Sequence, residues 1–120
     1  MKFEIEQKDK VTVIKSKVEK LDALHAPELK GEFVLQNKNG KKNLVLDLSE
    51  TRYCDSSGLS AVLVANRLCR ESQGVFVLCG LQDAVSKLIT ISQLDSVLKI
   101  VPTPNEAVDL VYMEEVEKNL

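Results

Sequence analysis

Apolar residues follow two rhythms along this chain, and the rhythms take turns. From Phe3 to Gln7 and from Val11 to Ile14 apolar and polar positions alternate, the period-two pattern of strands. Lys8-Asp9-Lys10 between them reads as the turn of an antiparallel hairpin. Pro27 then suits the first turn of a helix that carries Leu29 and Phe33 on one face and stops at Asn39-Gly40. Leu44–Leu48 is a short apolar run of the kind that forms a strand buried on both faces, and Val75–Cys79 is a second. Between them Leu59, Val62, Leu63, Leu68 and Cys69 fall at helical spacing, predicting a helix over Ser57–Ser72 ended by Gly74. Asp83 can cap a short helix bearing Ala84, Val85, Leu88 and Ile89. Val97–Val101 is a third apolar strand, with Lys99 placing it near a sheet edge. Thr103, Pro104 and Glu106 form a capping box with proline at the first helical position, and Glu114–Leu120 is expected to fray. Strands alternating with about four helices imply right-handed crossovers and an α/β fold: a mixed, mostly parallel sheet with an N-terminal antiparallel hairpin.

Composition narrows this picture. At 120 residues the chain is read as one domain, 1–120, with no linker, repeat or low-complexity stretch. A formal net charge of −2 gives no electrostatic footprint for nucleic acid, and the groupings Lys15–Lys20 and Lys38–Lys42 read as solvated faces or turns. No run approaches the roughly 18 apolar residues of a membrane span. The opening residues Met1–Glu6 lack the apolar core of a signal peptide, so a cytoplasmic location is expected, without membrane insertion. Cys54, Cys69 and Cys79 form no Cys-x-x-Cys pair and leave an odd thiol, which suits a reducing compartment.

The chemistry concentrates after the first buried run, where Asp55-Ser56-Ser57-Gly58-Leu59 closes a polar loop. Asp and Ser are favoured at helix starts because their oxygens accept from unpaired first-turn N–H groups. A carboxylate, two hydroxyls and a bare glycine thus sit at the mouth of a helix beyond a central strand, where open α/β sheets place their sites. Catalytic machinery is missing around them. His25 is the one histidine and lies near the start of the first helix as a surface or capping residue, and no Gly-x-Ser-x-Gly elbow occurs. There is no phosphate loop, dinucleotide fingerprint or metal-ligand spacing, so neither a cofactor nor a metal is expected. A serine hydrolase would require His25 to reach a serine. A serine at a helix start can instead accept a phosphate, which the helix dipole favours by about 0.3–1 kcal/mol and a neighbouring carboxylate opposes. From spacing alone the favoured reading is the plain one, with Asp55 and Ser56 as caps and Ser57 as an ordinary first-turn residue.

The pattern strand–Asp-Leu-Ser–loop–Asp-Ser-Ser-Gly-Leu resembles the signature of STAS domains, the fold shared by bacterial anti-sigma factor antagonists and the tails of sulfate transporters. The resemblance extends through Leu21-Asp22, Gly80-Leu81, Leu94–Ile100 and Asn105-Glu106-Ala107. It departs at Glu19, where a glycine is usual, and at Cys54, where a bulky aliphatic is common. The resemblance implies a non-enzymatic anti-anti-sigma factor. Unphosphorylated, such a protein binds an anti-sigma factor that is also a serine kinase and so releases a sigma factor; phosphorylation ends the contact and a serine phosphatase restores it. By the same resemblance Ser57 is the phosphorylated residue and Ser56 the runner-up. Asp22, Asp55, Ser56, Gly58 and Leu59 form or border the partner surface, with Gly58 letting a partner's backbone approach and Leu59 facing largely inward. The alternative is a non-switching STAS subunit of a larger assembly, either a lipid-transport ATPase complex or a signalling scaffold.

Overall fold

The computed structural model describes residues 2–120. Strands β1 (Phe3–Gln7) and β2 (Thr12–Ser16) form the antiparallel hairpin. The second strand runs two residues beyond its expected end, because Lys15 and Ser16 continue the ladder opposite Glu4 and Phe3. A two-residue strand β3 (Lys20–Leu21) leads into helix α1 (Ala26–Lys38). Strand β4 (Leu44–Asp47), a second two-residue strand β5 (Tyr53–Cys54) and helix α2 (Ser56–Glu71) follow. Strand β6 (Phe76–Cys79), helix α3 (Asp83–Ile91), strand β7 (Lys99–Val101) and helix α4 (Pro104–Lys118) complete the order. The main sheet runs β1-β2-β4-β6-β7, parallel except for the hairpin, and β7 forms one edge, as Lys99 suggested. Beside it, β3 and β5 pair in parallel as a separate two-stranded ribbon.

The sheet is covered on both faces. On one side Ile14, Leu44, Leu46, Phe76 and Leu78 pack against Leu29 and Phe33 of α1, Val62 and Ala65 of α2, and Val85 and Ile89 of α3. On the other side Val13, Val45, Val77 and Cys79 meet Ala107 and Val111 of α4. The alternation of β4 and β6 residues between the two clusters is the pleat itself. It explains why these strands read as continuous apolar runs, while the edge strand β1 alternates.

Three expectations shift in detail. Asp83 begins α3 instead of capping it; Gln82 is the N-cap, and its amide donates to the Ser49 carbonyl at 2.7 Å. Helix α2 is capped by Ser72, and Gln73 takes the left-handed conformation (φ 62°) expected of a terminating glycine. Gly74 is there for space: a Cβ on it would lie 1.9 Å from the Lys42 carbonyl oxygen. The tail expected to fray is helical to Lys118. Asn43 explains why, since its amide donates to the Lys10 carbonyl and to the Glu115 carboxylate (2.9 and 3.1 Å) while its oxygen accepts the Val75 N–H. That bond and the nearby Lys42 hold the Glu115 carboxyl below its ordinary pKa despite partial desolvation.

Candidate functional site

The site is built where the β3–β5 ribbon meets the head of α2. Asp55 is the N-cap in extended backbone, and its Oδ1 accepts the N–H groups of Ser57 (2.9 Å) and Gly58 (3.1 Å). Its backbone N–H donates to the Leu21 carbonyl at 3.3 Å, so the cap is pinned to β3. The crossover that delivers Asp55 is anchored by Thr51, which is completely buried. Its hydroxyl donates to the Val18 carbonyl at 2.8 Å and accepts from the Ser16 hydroxyl at 2.7 Å. Ser56 is exposed and Ser57 half-buried. Both serines, with Ser60, line a surface hollow of about 300 Å³ whose other wall is Ala23, Ala26, Pro27 and Lys30. Ser57 is therefore not sealed in the core.

Gly58 and Leu59 face inward. Leu59 is 8% exposed and belongs to the core cluster, as its apolar spacing indicated. Gly58 is buried, and the expectation that it admits a partner's backbone is corrected: the backbone that approaches it is the chain's own. A Cβ at this position would lie 2.3 Å from the Leu21 carbonyl oxygen and 2.6 Å from Cys54 Sγ. The glycine lets α2 start directly on the ribbon.

Asp22 stands in the loop after β3, and its carboxylate serves that loop. Its Oδ1 accepts the N–H groups of Leu24 (3.1 Å) and His25 (3.3 Å) and the His25 ring Nδ1–H (3.1 Å). Desolvation alone would raise its pKa; the His25 and Leu24 N–H bonds and the His25 ring outweigh it and hold the carboxyl below its ordinary value. The structure places Ala23, the next residue, on the hollow that Ser57 lines, while Asp22 itself is not on that lining. His25 occupies the N-cap position of α1, and its Nδ1 faces two acceptors, Asp22 Oδ1 and the Lys20 carbonyl. That nitrogen must therefore carry a proton. Among the described residues His25 makes no hydrogen bond to Ser56 or Ser57, which leaves the hydrolase reading without its base. Cys54 is held by burial, and secondarily by Asp55, at a pKa of about 11, so its thiol is un-ionised at neutral pH. Such a thiol is a poor nucleophile.

Compared with known proteins, residues 2–107 match the family model described as the STAS domain. The chain belongs to the STAS domain family. An anti-sigma-B factor antagonist of Listeria monocytogenes is 37% identical over 81 residues, 67% of this chain and 70% of that protein. BtrV of Bordetella bronchiseptica, a candidate anti-sigma factor antagonist by its name, is 34% identical over 80 residues, 67% of this chain and 69% of that protein. Among solved structures, the unphosphorylated anti-sigma factor antagonist SpoIIAA superposes with a TM-score of 0.72 at 19% identity, covering 92% of this chain and 97% of SpoIIAA. An anti-sigma factor antagonist from Mycobacterium paratuberculosis superposes at 0.82 with 24% identity over 92% of both chains. At those identities the structural matches establish the shared fold.

In this STAS domain the one charged residue lining the serine hollow escaped sequence reasoning. Lys30 lines the serine hollow from α1. Leu24, 77% exposed, follows Ala23 in the loop, and Tyr53, 47% exposed, lies on β5 two residues before the cap. Nothing in the sequence distinguishes Lys30 from other helix-surface lysines, because only the packing of α1 beside α2 brings it to the serines. No helix among the described residues is long and apolar enough to cross a membrane.

Proposed function

We propose that this STAS domain is a bacterial, cytoplasmic anti-sigma factor antagonist. It binds, unphosphorylated, an anti-sigma factor that is also a serine kinase, and it is switched off by phosphorylation of Ser57. The supporting observation is the Ser57 side chain, half-buried on a surface hollow at the head of α2 and next to the capping Asp55 carboxylate. The antagonist names of the 37% and 34% identical relatives support the same reading. The docking face would comprise Asp55, Ser56 and Ser57, bordered by the Asp22 loop.

The switch follows from electrostatics. The kinase transfers the γ-phosphoryl of ATP to Ser57 Oγ; a P–O bond to ADP breaks, a P–O bond to Ser57 forms, and the hydroxyl proton leaves to a base on the kinase. The product carries about −1.5 to −2 charges. On an exposed surface water screens this charge, so the fold tolerates it. Inside a docked interface a like charge about 4 Å away costs about 4 kcal/mol at an effective dielectric near 20. That is close to a thousandfold in affinity. A partner phosphatase then restores the hydroxyl by hydrolysis.

Intact-mass measurement after incubation with the cognate kinase and ATP tests the reading. One phosphate is expected on the wild-type chain and none on Ser57→Ala, while Ser57→Ala retains kinase binding and Ser57→Glu loses it. Phosphate gain that persists in Ser57→Ala would move the switch to Ser56 or elsewhere. No gain at all, together with co-purification of a transporter ATPase, would replace the switch by a constitutive subunit role.

A further inference from the structure

The hollow beside Ser57 contains one charged side chain among its seven lining residues, Lys30 of α1. Among the described residues Lys30 has no carboxylate within pairing distance. The amides at the head of α2 are differently placed. Asp55 Oδ1 already accepts the Ser57 and Gly58 N–H groups, and the Leu59 N–H donates to the Asp55 carbonyl. The nearby Asp22 and His25 side chains are engaged with each other and with their own loop backbone. A phosphoryl group on Ser57 would thus meet a helix start where the Ser57 and Gly58 N–H groups already hold the Asp55 carboxylate, and that carboxylate repels it. The uncompensated positive charge in the same hollow is the Lys30 ammonium.

We propose that Lys30 is the intramolecular partner of a phosphoryl group carried on Ser57, turning it away from Asp55 and seating it between α1 and α2. This rests on Ser57 being the modified serine. An ammonium suits the task, because a point charge on a flexible stem follows a tetrahedral anion without a fixed fork geometry. The two flanking charges act on the phosphate in opposite senses. Lys30 favours the dianion and lowers its second pKa, whereas Asp55 disfavours the dianion and raises it. The phosphorylated state would then be defined by a contact that the unmodified domain lacks, with α1 and α2 tied across the hollow.

The test needs neither kinase nor partner. Phosphoserine is placed at position 57 of the full chain during translation, and its ³¹P resonance is titrated in the wild type and in variants. Lys30→Gln is expected to raise the second phosphate pKa by roughly 0.2–0.7 unit, the equivalent of an exposed ion pair. Asp55→Asn, which keeps a capping side chain, is expected to lower it. Lys30→Arg should keep the wild-type titration. The ¹⁵Nζ shift of Lys30 in the otherwise wild-type chain, compared with and without the phosphate, reads the same pair with no substitution on α1. Superimposable ³¹P titrations for wild type and Lys30→Gln, with an unmoved Lys30 resonance, would overturn the proposal. The two readings separate cleanly. A kinase that leaves Ser57 unmodified defeats the switch while a shifted titration still upholds the ion pair, and flat titrations defeat the ion pair while kinase modification of Ser57 stands.

Discussion

Replacing Gly58 by alanine offers the sharpest test of how the site is assembled. Helix propensity alone favours the change, since alanine is better than glycine inside a helix by about 0.8–1.0 kcal/mol. The structure reverses the sign. The new methyl would sit 2.3 Å from the Leu21 carbonyl oxygen, 2.6 Å from Cys54 Sγ and 2.9 Å from Leu21 Cγ. Real Cβ contacts start at 3.0 Å, so β3 and the head of α2 must part by roughly 0.7 Å. Both move only together with the Asp55 N–H to Leu21 bond and the ribbon pairing. Overpacking of this kind costs about 1–3 kcal/mol. After the propensity gain is subtracted, a net destabilisation of up to about 2 kcal/mol is expected, measured as a lowered urea midpoint at unchanged slope. Gly31 is the internal control: it is exposed in α1 with nothing within 4 Å of a built Cβ, so Gly31→Ala should stabilise by up to about 1 kcal/mol. Adding Cys54→Ala to Gly58→Ala should recover part of the loss but not all, because the nearer obstacle is backbone. If Gly58→Ala and Gly31→Ala shift stability in the same direction by similar amounts, the close approach of α2 to the ribbon is wrong.

Thr51→Val keeps the shape of a completely buried side chain and strips both of its hydrogen bonds, leaving the Val18 carbonyl and the Ser16 hydroxyl unmatched. About 2 kcal/mol of stability should be lost by thermal denaturation, with Thr51→Ser closer to wild type; equal losses in both would refute a polar role. Alkaline pH should weaken the fold through the thiols. Burial raises their pKa from 9.0 to about 11 for Cys54 and about 12 for Cys69 and Cys79. Their contribution is complete below pH 9, where folded and unfolded thiols are all protonated, and is lost as pH rises through 9 to 12. A Cys54→Ala variant should show a shallower fall of melting temperature between pH 9 and 11, and an unchanged slope would refute the desolvated thiol. In acid the sign is opposite. Asp22, Glu115 and Glu50, the last held by the Lys15 and Lys17 ammonium groups at 3.0 and 3.3 Å, lie below their ordinary values of 3.8, 4.5 and 4.5, so their stabilisation is present above those values and disappears as pH falls below them.

Much of this domain was legible along the chain. The order of the main-sheet strands and the helices, the antiparallel hairpin, the Thr103 cap of α4 and the inward face of Leu59 all follow from periodicity and end chemistry. These are properties of residues a few positions apart, so local geometry suffices to predict them. The Thr103 cap is an instance: its hydroxyl accepts the Glu106 N–H at 3.2 Å, as the spacing required.

What required the tertiary structure depends on residues brought together from distant parts of the chain. The β3–β5 ribbon has two residues per strand, too few to show any period, and forms only because the segments before α1 and α2 run side by side. The purpose of Gly58 is set by the Leu21 carbonyl, 37 positions earlier in sequence, and that of Gly74 by the Lys42 carbonyl. Lys30 meets the serines because α1 packs beside α2 with both helix heads at the same end. Composition and pattern chose the elements and their inward faces, since hydrophobic burial reads periodicity directly. Packing decided which polar groups share a hollow, because close approach between non-neighbouring segments leaves no periodic trace in the chain.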